Sequence, residues 1–381
     1  MDLRSAVIGL GLLGTNHAAY FQGSDKTELV AAAEIREEAA EEAEERFGIK
    51  VYSDYDEMLA KEELDLVMVA TPDPFHREPV VASAEAGVPY IVTQKPFATT
   101  VEDAQAMLEA CDEAGSKLWV YLSNRVNPMD IATRYVIQEG LIGRVVYGEA
   151  RLDDNISVPR RLWGERSKAW ASSSSTAQFL LSHVSDTMRW FFEPAEVEAV
   201  YSISQREVLE YTPDLFDAYL FFDNGMKIRV KSDWIKYMEK LVEYYKCIEG
   251  EHGTIFYNKI PGFNVKEQSW QVNFSDRMTV EELLAHQEIL SERGCSVHVK
   301  MHQPIESVGG GIMPQLEMDA SQPQATELMD HILASIEEDK AVPSTWEGNG
   351  RLPTGQDGLM QTKIVSAIIE SAEIGKEIEV S

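Results

Sequence analysis

Ala6-Val7-Ile8-Gly9-Leu10-Gly11-Leu12-Leu13-Gly14 is an apolar run that breaks into G-x-G-x-x-G and continues in helix-compatible residues. A strand, a tight glycine turn and a helix start, in that order, open a dinucleotide-binding fold. Gly9 permits the turn, Gly11 lets the backbone approach a pyrophosphate, and Gly14 lets the helix pack close to the strand. The helix N-terminus then faces the negative charge. Three glycines at this spacing occur by chance in many turns, so the reading needs an acidic residue about twenty positions later, at the end of a second strand. Glu28-Leu29-Val30-Ala31-Ala32-Ala33-Glu34 supplies it. Gly9, Gly11, Leu12, Leu13 and Gly14 are thus expected at the phosphates, and Glu34 at the adenosine ribose. Glu34 would repel a 2′-phosphate, which favours NAD; Arg36 softens that repulsion and leaves NADP possible.

Outward from this opening, residues 1–125 alternate strands and helices. Residues 15–22 continue the first helix, 36–47 form an acidic amphipathic helix closed by Gly48, and 50–52 a short strand. Asp54 caps a helix at 54–61. The run 65–70 reads as a buried strand ending at Thr71-Pro72, and 75–86 as a helix stopped by Gly87. A strand at 90–93 ends at Gln94-Lys95-Pro96; a helix at 101–114 and a strand at 117–121 follow. Such alternation predicts a parallel, doubly wound sheet. Ligand chemistry in such sheets lies at the carboxyl ends of the strands. The glycine turn, Glu34, Thr71-Pro72, Gln94-Lys95 and Ser123-Asn124 all fall there.

From about residue 126 the pattern changes. A connecting helix at 131–139 precedes β-like stretches at 144–152, 197–204, 217–222, 226–232, 243–248 and 253–257. Asp223-Asn224-Gly225 is a hairpin signal. Helical stretches fall at 178–192, 325–338 and 356–371. Residues 126–381 therefore read as an α+β domain with one large, mostly antiparallel sheet. The pattern is weakest across 260–322, which holds a helical 281–293 and a flexible Val308-Gly309-Gly310-Gly311.

The 381 residues suffice for two domains of about 100–200 residues each. A net charge of −30 without any basic run argues against nucleic acid, whose phosphates need clustered Lys and Arg. Cys111, Cys247 and Cys295 are scattered, so neither a disulfide framework nor a metal site is expected. No apolar run reaches the roughly 18 residues of a membrane helix, and the chain enters a strand at once, leaving no room for a signal peptide. The expectation is a cytoplasmic protein without a membrane partner.

Further motifs lie in order along the chain: Thr71-Pro72-Asp73-Pro74-Phe75-His76, Gln94-Lys95-Pro96 and His183-Val184-Ser185-Asp186. With the glycine turn and the ending Asp357-Gly358-Leu359 followed by Ser371-Ala372-Glu373-Ile374-Gly375-Lys376, the chain resembles the glucose–fructose oxidoreductase / inositol dehydrogenase / MocA family. The resemblance implies an N-terminal Rossmann domain and a C-terminal open sheet that often builds homodimers or homotetramers. It also implies a C-terminal segment able to pack back on the first domain, a nicotinamide cofactor, and hydride transfer at a hydroxyl carbon of a sugar or cyclitol. On that resemblance Lys95 touches the reacting hydroxyl and the nicotinamide ribose, and His183 is its acid/base partner. Two positions depart from the family pattern: its Glu before the lysine is Gln94, and its Asp four residues before the histidine is Phe179. Two rivals stay open, a redox-neutral NAD-dependent glycosidase and a non-catalytic sugar sensor.

Each residue also has a plainer reading. Lys95 could be a surface lysine and His183 a satisfied core residue. His76 is either a cofactor contact or a helix N-terminal contact, while Thr71, Pro72, Gln94 and Asn124 join the expected cofactor set and Arg125 the substrate set. Asp186 could orient His183 or pair locally. The segment Pro159-Arg160-Arg161-Leu162-Trp163-Gly164-Glu165-Arg166-Ser167-Lys168-Ala169-Trp170 is either a solvated loop or a substrate wall. As a wall, Trp163 and Trp170 would stack on sugar while Arg166 and Lys168 bind an anionic group.

Overall fold

The computed structural model describes residues 2–258, 269–275, 277–302, 313–318 and 327–380. The chain forms two compact units, one of Met1–Leu122, Met329–Glu347 and Arg351–Ser366, the other of Ser123–Leu328, Gly348–Gly350 and Ala367–Ser381.

In the first unit, short runs rich in Val, Ile and Ala become mostly buried strands, with the edge strand at 50–52 more exposed. They are β1 (Leu3–Ile8), β2 (Thr27–Ala33), β3 (Lys50–Tyr52), β4 (Leu66–Val69), β5 (Tyr90–Thr93) and β6 (Lys117–Val120). All pair in parallel, in the order β3-β2-β1-β4-β5-β6. Helices α1 (Leu12–Gly23), α2 (Glu37–Phe47), α3 (Tyr55–Lys61), α4 (Arg77–Glu85) and α5 (Val101–Ala114) connect them. Strand order reverses between β1 and β4, where an open α/β sheet places its ligand crevice. Gly48 and Gly115 end α2 and α5 in the left-handed region, and Asp54 and Thr100 cap α3 and α5.

In the second unit, Asn127 caps α6 (Pro128–Gln138) with Pro128 at its first position. There follow β7 (Val145–Asn155), α7 (Ser157–Arg161), α8 (Ser167–Ser173), a π-helical turn at Ala177–Leu181 and α9 (Ser182–Phe192). Next come β8 (Val197–Gln205), β9 (Leu215–Phe222), β10 (Lys227–Lys236), β11 (Val242–Gly250), β12 (Gly253–Tyr257) and β13 (Trp270–Phe274). The chain continues through α10 (Val280–Glu292), β14 (Val297–His302), β15 (Met313–Met318), α11 (Leu328–Glu338), α12 (Gly355–Ile374) and β16 (Ile378–Glu379). One ten-stranded sheet results, in the order β14-β15-β13-β12-β11-β7-β10-β9-β8-β16. Only β7 and β10 pair in parallel among its described strands. The Asp223-Asn224-Gly225 turn closes β9 and β10 with Gly225 at φ +82°.

Several sequence expectations are corrected here. Residues 329–347 and 351–366, which hold α11 from Met329 and residues 355–366 of α12, cluster with the first unit beside the expected boundary at 125/126. Tyr20 and Lys26 bond Asp330 and Glu337 of α11, and a Cβ on Gly358 of α12 would lie 2.3 Å from the Phe97 ring. Strands β13, β14 and β15 went unread because they lie among segments with no periodicity. The helix expected at 75–86 starts at Arg77, since Asp73–Phe75 forms a 3₁₀ turn; the helix expected at 178–192 begins in a π turn. Val308–Gly311, expected to be flexible, lie outside the described residues.

Candidate functional site

In the first unit the glycine turn leaves β1 at the sheet's reversal point. Gly9 holds φ +91°, and a Cβ there would meet the Ala70 carbonyl oxygen at 2.9 Å. A Cβ on Gly14 would lie 1.8 Å from the Gly9 oxygen, so no other residue fits. Around Gly11 nothing lies within 4 Å of the corresponding position. The protein itself demands Gly9 and Gly14, whereas the space over Gly11 is what a pyrophosphate requires. No side chain caps α1 and its first turn carries no acid. Its N–H groups are therefore available to an anion, and the residues present fit a dinucleotide. Leu12 and Leu13 flank the turn, 63% and 46% exposed.

Glu34 closes the turn from behind. Its Oε2 accepts the Leu10 N–H at 2.8 Å, and its Oε1 accepts the Arg36 N–H at 3.0 Å and Nε at 2.9 Å. Burial alone would raise this carboxyl, but hydrogen bonds from Arg36 and Leu10 outweigh it and hold the pKa below the ordinary value. Glu34 thus engages both the glycine turn and Arg36 at the strand end where a ribose contact was expected. Arg36 also donates to the Leu10 carbonyl at 3.1 Å.

The loops after β4 and β5 are tied together by His76. This ring is buried, with Nε2 2.9 Å from the Thr71 oxygen and Nδ1 2.9 Å from the Pro96 oxygen. Through these contacts it braces the two loops against each other. Thr71 donates its hydroxyl to the Phe75 oxygen at 2.7 Å, and Pro72 is exposed. Lys95 is half-buried at the end of β5. The backbone beyond it is held by Gln361 of α12, whose Oε1 accepts the Phe97 N–H at 3.2 Å. Gln94 has a partner on α1. Its amide turns inward to the buried His17, Nε2 to Nε2 at 2.7 Å. Sequence reading missed His17 and Gln361; the spacing of His17 three residues after Gly14, on one helix face, was the available signal.

In the second unit, His183 is half-buried in the first turn of α9, and its carbonyl accepts the Thr187 hydroxyl at 2.7 Å. Asn124 is half-buried in the turn before α6. Arg125 is fully buried, and its guanidinium grips Asp186 twice, Nε at 3.1 Å and Nη2 at 2.5 Å. The two side chains form a buried ion pair at the position where a substrate contact was expected. Phe179, in the π turn, meets Trp170 edge-on at 4.8 Å and Trp163 at 6.2 Å. Trp163 and Trp170 are 4.1 Å apart, and the buried Trp234 lies 5.3 Å from Trp170. These four rings form one aromatic cluster, and Phe179 belongs to it. Lys168 lies over the Tyr211 ring at 5.2 Å, and Arg166 is exposed.

A glycine cradle at the reversal of a β3-β2-β1-β4-β5-β6 parallel sheet defines a dinucleotide-binding protein of the Rossmann class. Residues 3–122 match the family model described as the oxidoreductase family with an NAD-binding Rossmann fold, and residues 131–256 match the GFO/IDH/MocA C-terminal domain. The chain belongs to the GFO/IDH/MocA oxidoreductase family. It is 39% identical over 146 residues to a D-apiose dehydrogenase of Paraburkholderia graminis, covering 38% of this chain and 39% of that protein. It is 29% identical over 145 residues to a 2,7-anhydro-N-acetylneuraminate hydratase of Mediterraneibacter gnavus, covering 37% of each. These matches span less than half the length of either relative. A levoglucosan dehydrogenase solved with NADH and L-sorbose shares the fold at a TM-score of 0.75 and 22% identity, over 100% of both chains.

Proposed function

We propose that the protein is an NAD-dependent dehydrogenase or reductase that moves hydride to or from a hydroxyl-bearing carbon of a sugar or cyclitol. The observation that carries this reading is the half-buried Lys95 on a loop braced by His76 and Gln361, at the same sheet edge as the glycine cradle. Bound NAD supplies the hydride acceptor. Lys95 donates from its ammonium to the substrate hydroxyl and stabilises the developing alkoxide, a kind of contact whose removal costs about 100- to 1000-fold in turnover. His183, with an imidazole whose ordinary pKa is about 6.5, takes or returns the hydroxyl proton. The first unit thus serves the cofactor, and the second serves the substrate and self-association. Arg36 beside Glu34 leaves NADP as a weaker alternative cofactor.

The aromatic wall stacks on a sugar ring, and the basic residues of the same segment, Arg166 and Lys168, favour an anionic substituent. Acidic and neutral forms of the preferred sugar turned over equally would remove that preference. Val146, Tyr201, Ile203 and Tyr219 are exposed on strands of the large sheet, which suits pairing between copies. Light scattering on the purified protein would read a dimer or tetramer, and a monomer at micromolar concentration would refute the pairing.

The hydratase relative favours one second reading, a redox-neutral reaction in which hydride returns to the substrate after elimination and water addition. One assay separates the two. Free sugars with stoichiometric NAD should build up the absorbance of reduced cofactor. Release of an aryl aglycone with catalytic NAD and no net reduction would transfer the assignment to the redox-neutral reaction. Lys95→Ala should abolish either activity while leaving cofactor binding within threefold, which a sugar sensor would not show.

A further inference from the structure

The inward turn of Gln94 joins two parts of the first unit that the chemistry must keep in register. Gln94 follows β5 and directly precedes Lys95; His17 lies on α1, the helix whose N-terminus forms the glycine cradle. Both side chains are buried, at 5% and 7% exposure, and their Nε2 atoms are 2.7 Å apart.

The orientation of the amide is set from its other end. The Lys95 backbone N–H lies 3.3 Å from Gln94 Oε1, and an N–H needs an acceptor, so the oxygen faces Lys95 and the amide nitrogen faces His17. An amide nitrogen only donates. His17 Nε2 must therefore be an unprotonated acceptor, with the ring proton on Nδ1. The only ring packed on His17 among the described contacts is Tyr121, edge-on at 4.6 Å after β6. Burial pushes the imidazole pKa down to about 4, which keeps the acceptor form at neutral pH.

We propose that His17 is a positioning residue for Lys95: its neutral imidazole accepts the Gln94 amide and so locks the lysine's loop onto the helix that starts the cofactor cradle. This rests on the reading of Lys95 as the group at the reacting hydroxyl. It gives Gln94 a role that Glu would not fill in the same way. A carboxylate at position 94 has no N–H to donate, so His17 would have to carry its proton on Nε2.

Two measurements test the clamp. In ¹⁵N spectra of the full chain labelled at histidine, His17 should be the neutral Nδ1–H form at pH 7. In Gln94→Glu the proton should move to Nε2, and the titration midpoint should rise. For kinetics, His17→Phe keeps a ring beside Tyr121 but removes the acceptor, whereas His17→Gln offers an amide oxygen at similar reach. A misplacement on the ångström scale predicts that His17→Phe loses about 10- to 100-fold in kcat. NADH affinity, read by fluorescence, should stay within threefold, and His17→Gln should recover most of the loss. Equal kcat for the two variants, or an Nε2–H or doubly protonated His17 in the unsubstituted protein at pH 7, overturns the proposal. If Lys95→Ala instead retains full turnover, the lysine's own assignment fails, while the ¹⁵N spectra still show independently whether the His17–Gln94 bond exists.

Discussion

The glycine cradle and the aromatic wall are built by opposite means. The cradle is backbone: Gly9, Gly14 and Ala70 approach so closely that side chains are excluded, and Glu34 completes it from the end of the neighbouring strand. The wall is side chain: Trp163, Trp170, Phe179 and Trp234 come from separate elements of the second unit and meet only through packing. A backbone site tolerates one residue type and shows that intolerance in the sequence. A packed wall tolerates many combinations, so its members look like ordinary apolar residues until the fold assembles them.

The largest way to break this contrast is inside the cradle. Gly14→Ala must displace the Gly9 carbonyl and should cost more than about 4 kcal/mol, read as a collapsed Tm and lost NADH fluorescence enhancement. Gly11→Ala meets no protein atom, so it should retain the wild-type Tm and weaken NADH binding alone. A lowered Tm for Gly11→Ala with unchanged affinity would reverse the roles assigned to the two glycines.

Next comes the buried pair under the second unit's helices. Arg125→Met strands Asp186 without its partner at about 1% exposure and should destabilise by about 3–5 kcal/mol in urea unfolding. The double variant Arg125→Met with Asp186→Leu should recover most of that. Were Arg125 a substrate ligand instead, Arg125→Met would raise the sugar KM without moving the unfolding midpoint.

The wall itself should respond more gently. Trp170 is half-buried, and Trp170→Ala is expected to raise the sugar KM about tenfold, near 1.4 kcal/mol, with NADH affinity unchanged. An unchanged KM would make the wall purely structural.

The smallest effect is the pH dependence of Glu34. Its folded pKa is depressed below the ordinary carboxylate value, so its contribution to stability is fully present above the unfolded pKa and is lost as pH falls through the folded one. Glu34→Gln should therefore be less stable than wild type at pH 7, and the gap should start to narrow as pH falls below the unfolded carboxyl's value of about 4.3. A gap that does not narrow at all as pH falls from 7 would show that ionisation of Glu34 is not what holds Leu10.

Much of the first unit was legible because its signals are local. A strand, a glycine turn and a helix cap each depend on a few neighbouring residues, and alternating elements restrict the topology. Lys95 was legible by its place at a strand end beside a proline. The protein contacts of His76, Gln94 and Arg125 were not legible, because each has a polar side chain near the expected edge, and composition does not say which protein groups such a side chain meets. Their partners, Pro96 and Thr71, His17, and Asp186, lie far along the chain from them or on other elements. In the second unit, β13, β14 and β15 escaped because their pairing is set by neighbours in the sheet rather than by their own pattern.

The amino-acid order alone determined the parallel sheet, the glycine cradle and the lysine at its edge, since steric exclusion at Gly9 and Gly14 and the period of the strands act over a few residues. Tertiary structure alone decided which parts of α11 and α12 cluster with the first unit, that Phe179 joins the tryptophans, and that Gln94 turns to His17. Each of these depends on which surfaces are buried against one another, and burial is a property of the folded chain.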